Sequence, residues 1–208
     1  MRLTSLALAG AIVTYGAYGV VQAQSPAAGQ TGHEGHTMPA PAAAAPSPAR
    51  VMTPAPVIGD IPLIDSGNRA TSLRDVLATD DPVFVNFIFT TCTTICPVMS
   101  AGFAQFHETL AAGRDRVRLV SISVDPTVDT PAALRAYAAR YRAGASWQFF
   151  TGTPAGVEAA QRAFGAYRGG KNNHAPATYF RRGRNAPWQS VTGFSSAETL
   201  LTLFRGRS

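Results

Sequence analysis

The sequence predicts an α/β domain, a central mixed sheet flanked by helices, and three observations predict it. Val83-Phe-Val-Asn-Phe-Ile-Phe-Thr90 is apolar at nearly every position, as a central strand covered on both faces must be. Downstream, Met99, Phe103, Phe106 and Leu110 recur at i, i+4, i+7 and i+11, which makes one continuous helical stripe. Strand-like and helix-like segments then alternate to the C-terminus.

Taken in order, Leu63 to Leu77 reads as an opening strand or hairpin, with Asp65-Ser-Gly67-Asn68 as its turn and a short helix from near Ser72. The central strand follows, and Pro97 opens the amphipathic helix, because a proline in the first turn removes an N–H that has no partner there anyway. Arg116 to Val124 is rich in β-branched residues and reads as the next strand, stopped by Asp125-Pro126. Asp129-Thr130-Pro131 starts a helix that runs to about Arg142, with Asp129 or Thr130 as its N-cap. Trp147–Phe150 is a short strand, and Thr153-Pro154 opens a helix reaching Phe164. Ala177–Phe180 and Trp188–Val191 pair as a hairpin around an arginine-rich turn, and Ser196–Phe204 closes the chain as a helix. This is the element order of a thioredoxin-like domain, although alternation by itself fixes only the class.

The N-terminal part has a different character. Leu3 to Val21 is apolar and uncharged behind Arg2, and small residues in Val21-Gln22-Ala23 suit a signal peptidase that cuts before Gln24. Residues 1–23 are therefore expected to be a signal peptide or, uncleaved, a membrane anchor. Either one exports the rest of the chain, to a periplasm or to a tether on the outer face of an inner membrane. No cysteine lies near the cut, which argues against a lipoprotein. Residues 24–56 are rich in Ala, Pro, Gly and Ser and predict a disordered tether, because they cannot bury enough surface to offset their ordering entropy. Residues 57–208 then have the size of one domain with a single core.

The formal charge is +6, with 18 Lys and Arg against 12 Asp and Glu. Much of the excess lies in Arg181-Arg182-Gly183-Arg184 and Arg205-Gly-Arg207, which reads as a solvated basic face. An exported chain rarely meets nucleic acid, so no nucleic-acid partner is expected, and the domain is expected to be a monomer.

Cys92 and Cys96 are the only cysteines, in Phe-Thr-Thr-Cys92-Thr-Thr-Ile-Cys96-Pro97. A disulfide across so small a ring stabilises by only about 2 kcal/mol in the loop-entropy picture, against nearly 5 for a hundred-residue loop. The pair is better suited to metal binding or redox exchange. Cys96, placed at a helix N-terminus, is expected to be the thiol that favours its thiolate. Two thiolates on one turn suit Cu(I), and an added imidazole suits Cu(II) as well. Four histidines are available. His107 reads as a surface residue beside the apolar stripe. His33 and His36 lie in the tether with Met38, where two imidazoles and a thioether offer a loose copper-catching site or are simply linker. His174 follows a Gly/Asn-rich loop just before the strand at Ala177, beside the cysteine loop of a thioredoxin-like sheet. Pro176 is a candidate for the cis-proline that such folds place opposite their cysteines. Asp125 either tunes a metal site from behind or ends a strand.

Three stretches carry a resemblance: Phe87-Ile-Phe-Thr-Thr-Cys92-Thr-Thr-Ile-Cys96-Pro97, Ser121-Ile-Ser-Val-Asp125-Pro126-Thr-Val-Asp129-Thr130, and His174-Ala-Pro-Ala-Thr-Tyr-Phe180. In content and order the chain resembles the Sco/SenC family, exported thioredoxin-fold proteins implicated in building the copper site of cytochrome c oxidase. The resemblance implies that Cys92, Cys96 and His174 bind one copper ion, as Cu(I), Cu(II) or both. It implies a metallochaperone rather than an enzyme, with a cytochrome c oxidase subunit or another copper-receiving protein as partner. The residues between the cysteines, Thr93-Thr94-Ile95, and Asn173 before the histidine depart from the family's usual choices. The competing expectation is a thiol–disulfide oxidoreductase, with Cys92 and Cys96 catalytic, that keeps the cysteines of a copper-receiving protein reduced without carrying metal. No hydrolase constellation or phosphate-cradling glycine loop stands out.

Overall fold

The computed structural model describes residues 49–206. Within them one eight-stranded mixed sheet is built from β1 (Arg50–Val51), β2 (Pro62–Asp65), β3 (Ala70–Ser72), β4 (Val83–Ile88), β5 (Arg118–Ser123), β6 (Trp147–Thr151), β7 (Ala177–Arg181) and β8 (Gln189–Thr192), in the spatial order β1-β8-β7-β4-β5-β6-β2-β3. The helices are α1 (Leu73–Leu77), α2 (Ile95–Gly113), α3 (Pro131–Arg140), α4 (Pro154–Ala163) and α5 (Ala197–Arg205). β4, β5 and β6 run parallel and β7 runs antiparallel to β4. The expected fold class is the one observed.

β4 shows why the centre of the sheet is where it is. All of its residues are buried, and they divide by alternation between two cores. Phe84 and Ile88 face a layer with Phe103, Phe106, Leu110, Leu134, Tyr137 and Leu200, under α2, α3 and α5. Val83, Val85 and Phe87 face a second layer with Leu73, Val76, Leu77, Ala160 and Phe164, under α1 and α4. The polar member, Asn86, is accommodated by a cross-strand chain: Ser121 Oγ donates to Asn86 Oδ1 (2.7 Å) and accepts from Trp147 Nε1 (2.9 Å). On α2 the predicted stripe of Met99, Phe103, Phe106 and Leu110 is buried throughout. Gly102 lets this helix approach the lead-in to α5, because a Cβ there would lie 2.5 Å from the Ser195 carbonyl oxygen.

Several sequence expectations are corrected. α2 begins at Ile95, before Pro97, so Cys96 lies inside its first turn and Pro97 is the third helical residue, which also has no N–H acceptor in the helix. The N-cap of α3 is Thr130, whose hydroxyl accepts from the Ala133 N–H (3.2 Å), and Asp129 is not a cap. Among the described residues the cis peptide is Thr53–Pro54, so Pro176 is trans. The last part of the expected tether belongs to the sheet, since Arg50 and Val51 pair with Ser190 and Gln189. The leader, most of the tether, and His33, His36 and Met38 lie outside the described residues.

In the arginine-rich turn Arg182 and Arg184 are exposed, as a solvated basic face requires, and the side chains of the turn also make structural contacts. Arg181 donates to the carbonyls of Leu77 and Arg184, Arg182 Nε to Leu203 O (2.9 Å), and Arg184 pairs with Asp80 (2.8 Å). Two of these contacts add a donor to carbonyls at the C-terminal ends of α1 and α5, Leu77 O and Leu203 O, which also accept from the N–H groups of Thr79 (2.9 Å) and Gly206 (3.3 Å).

Candidate metal and thiol site

The parallel register of β4 and β5 brings their C-terminal ends together, and the antiparallel β7 begins at that same end. Three loops therefore converge there: the cysteine turn after β4, the Val124–Thr130 segment after β5, and the turn before β7 that ends in His174. Open α/β sheets bind their ligands at the carboxyl ends of their strands for this reason.

The two thiols are free and unequal. Cys92 is half-buried and Cys96 is fully buried. Thr94, the N-cap of α2, makes no side-chain cap hydrogen bond. Its place is taken by Cys92, whose Sγ accepts from the Cys96 N–H (3.5 Å) and contacts Thr94 Oγ1 (3.7 Å). Burial alone would raise the Cys92 thiol, but hydrogen bonds from the backbone and side chains of Cys96 and Thr94 outweigh it and hold the thiol below its ordinary value. Cys96 goes the other way. Burial pushes it up to about 12, a backbone hydrogen bond with Phe89 pulls it down, and the nearby Cys92 and Asp129 raise it again. The helix start thus activates Cys92, not Cys96 as the sequence suggested, because the helix directs its free N–H groups outward at the preceding turn and tucks its own second residue into the core.

His174 ends a 3₁₀ turn over Lys171–Asn173 and is half-buried. Its Nε2 lies 2.8 Å from Phe87 O, on the strand that feeds the cysteine turn. A carbonyl only accepts, so Nε2 carries the proton and Nδ1 keeps the lone pair. Burial lowers the His174 pKa and the Phe87 contact partly offsets this, so the ring is neutral at pH 7 and able to act as a ligand. As the side chains lie, no three His, Cys, Asp or Glu groups among the described residues are close enough to hold a metal ion. The residue types suit copper, and gathering them on one ion requires the imidazole or the cysteine turn to move.

His107 is half-buried on α2, with Nε2 2.9 Å from Ser146 Oγ, and takes no part in this end of the sheet. Asp129 has a role that sequence reasoning missed. It is fully buried and accepts from Thr90 N–H (3.1 Å), Thr90 Oγ1 (2.6 Å) and Ser123 Oγ (2.6 Å), so it fastens the start of the cysteine turn to the end of β5. Asp125 is more than a strand terminator: buried, it pairs with Lys171 Nζ at 2.5 Å. The Asp-x-x-x-Asp spacing was visible in the sequence, but nothing there links Asp125 to a lysine 46 residues away.

A single central sheet with helices on both faces, a thiol pair at the first turn of a helix and a histidine at the adjoining loop define a thioredoxin-like protein. The SCO1/SenC family pattern matches residues 53–182, more than half of the chain. The chain belongs to the SCO1/SenC family. It is 44% identical to the SCO1 protein homolog of Bacillus subtilis over 68 residues, which are 32% of this chain and 35% of that protein. It is 32% identical to protein SenC of Rhodobacter capsulatus over 120 residues, 58% of this chain and 52% of that one. The matches thus span between about a third and a half of these curated relatives' length. Among solved structures, yeast Sco1 with copper bound superposes with a TM-score of 0.61 at 20% identity, covering 73% of this chain and 91% of that one. BsSco, described through a disulfide switch as a member of the Sco family of cytochrome c oxidase assembly proteins, gives 0.61 at 24% identity, covering 73% and 92%. At these identities the structures speak to the fold.

Proposed function

We propose that this chain is an exported copper-binding metallochaperone that takes up copper on Cys92, Cys96 and His174 and passes it to the copper site of cytochrome c oxidase. The observation that supports the reading is a pair of free thiols on one turn, with the His174 imidazole on the adjoining loop hung from Phe87, on the strand that feeds that turn. Two soft sulfur donors favour Cu(I), and the imidazole extends the set to Cu(II). The copper-bound yeast relative and the oxidase-assembly description of BsSco support both the metal and the partner. Export fits the apolar leader and the SCO1/SenC family lipoprotein of Bacillus anthracis among the structural relatives, and the work is done in a periplasm or from a tether on the outer face of an inner membrane. No helix among the described residues is long and apolar enough to cross a membrane.

Copper binding would engage both thiols as thiolates. Cys92 is prepared for this by the α2 N–H groups, whereas Cys96 must give up a proton that burial holds tightly. Copper titration of the soluble domain against a chromophoric chelator tests the assignment. Wild type is expected to bind one ion, with large losses of affinity in C92A/C96A and in H174A for Cu(II). Tight binding unchanged in both variants overturns it.

One observation favours a second activity on the same residues. A half-exposed, acidified Cys92 in front of a buried, high-pKa Cys96 is the asymmetry of an attacking and a resolving thiol. A mixed disulfide with a partner cysteine, trapped through Cys92 in C96S, is the expected sign, and its absence under oxidising conditions counts against the activity.

A further inference from the structure

Asp125 and Asp129 lie on one segment between β5 and α3, and each takes hold of a different loop. Asp129 holds the cysteine turn through Thr90. Asp125 holds the histidine turn through Lys171, whose Nζ stands 2.5 Å from Asp125 Oδ2, with the carboxylate side chain 9% exposed and the lysine 37%. The remaining polar groups of Asp125 are already engaged: Oδ1 accepts from Thr127 Oγ1 (3.0 Å), and its N–H donates to Ser123 Oγ (2.9 Å). The ammonium group also lies 5.8 Å from the centre of the Phe89 ring, just ahead of the cysteine turn. Lys171 therefore touches both neighbouring loops at once. It is the one lysine of the chain, every other one of the 18 basic residues being arginine.

The tie reaches His174 through a short rigid path, since the His174 N–H donates to Lys171 O (3.2 Å) and closes the 3₁₀ turn. Upstream the turn is tied back only by Asn173, whose Nδ2 donates to Arg168 O (3.2 Å) and whose N–H donates to Gly170 O (3.1 Å), across Gly169 (φ +84°) and Gly170, which are exposed. We infer that Lys171 and Asp125 form a latch that holds the histidine turn against the cysteine turn, with Lys171 a positioning residue that sets how readily the His174 imidazole joins the two thiols on copper. The inference rests on His174 being a ligand, as proposed above.

Groups that orient a ligand from behind change metal affinity by about 10- to 100-fold when removed, and a partly exposed ion pair belongs at the lower end. K171M keeps the aliphatic stem and loses the charge, D125N removes the other partner, and K171R restores a cation. In the apo protein, amide hydrogen exchange of residues 171–174 is expected to speed up about ten-fold in K171M and D125N, with α2 and α5 unchanged, and K171R is expected to resemble wild type. Cu(II) affinity in competition with a chelator is expected to fall about ten-fold in K171M. Cu(I) affinity, carried by the thiolates, is expected to move by less than about three-fold. In an H174A background K171M should add nothing. Wild-type exchange and wild-type Cu(II) affinity in K171M overturn the latch, as does a loss that persists in full without His174. If H174A itself binds Cu(II) like wild type, the ligand assignment falls along with the copper half of this inference, and the apo-protein exchange still decides whether the latch exists.

Discussion

Asp129→Ala removes a fully buried carboxylate that three donors address, and the size of the effect can be worked from those donors. Ser123 Oγ is fully buried, so its loss of an acceptor is felt in full, although it still accepts from the Asp125 N–H. The Thr90 N–H and hydroxyl are only part-buried and recover some hydrogen bonding from water. A buried group left without its partner costs about 1–3 kcal/mol. With one donor counted in full and two at a discount, the expected loss is about 3 kcal/mol. For a domain of this size that lowers the melting temperature by about 6–12 °C. Asp129→Asn keeps one acceptor oxygen and should cost less than half as much, and Thr90→Val, which deletes one 2.6 Å hydrogen bond, about 1 kcal/mol. Urea unfolding of the two single variants and the double variant tests the reasoning, because residues that share a hydrogen bond couple by at least about 0.5 kcal/mol. An Asp129→Ala domain within about 0.5 kcal/mol of wild type, or strict additivity with Thr90→Val, refutes the claim that Asp129 anchors the cysteine turn.

Iodoacetamide should alkylate Cys92 in the native protein well before Cys96, with a rate that rises through a pH below the usual thiol range, as read by mass spectrometry of the modified peptides. Cys96 is raised in the fold, so its contribution to stability is complete below the unfolded thiol pKa of about 8.5 and is lost as pH climbs toward 12. Between about pH 8.5 and 10 wild type should lose up to about 1.4 kcal/mol per pH unit, and Cys96→Ala should show a shallower slope in the same urea titrations. Tyr137→Phe strands the buried Ser100 hydroxyl, now 2.8 Å from the tyrosine oxygen, and should cost about 1–2 kcal/mol in thermal unfolding. Gly102→Ala forces α2 and the Ser195 carbonyl apart and should cost about 1–3 kcal/mol, measurable as a lower melting temperature.

What the sequence made legible was what local pattern controls. β4 is read from an apolar run that only a doubly covered strand carries, and the α2 face from a spacing that only a helix brings onto one side. The two cysteines stand out because they are the only ones in the chain and their chemistry is specific, whereas His174, one of four histidines, is singled out by the family resemblance. Long-range pairing stayed hidden. Asp129 beside Thr130 looks like a cap from its neighbours alone, and its use by Thr90 depends on the register that sets β4 beside β5. Which cysteine the helix activates turned on a two-residue shift of the start of α2, the scale on which helix ends are hardest to read. The bonds from Arg181 and Arg182 to the Leu77 and Leu203 carbonyls stayed hidden as well, because nothing local shows that the ends of α1 and α5 lie beside this turn.

In the proposed function Cys92, Cys96 and His174 share one copper ion. The absorption spectrum of the soluble domain loaded with one equivalent of Cu(II) tests it most directly. Wild type is expected to show an intense thiolate-to-copper charge-transfer band that disappears in C96A and is lost or strongly shifted in H174A. A wild-type spectrum without that band, or a band that survives unchanged in both variants, contradicts it.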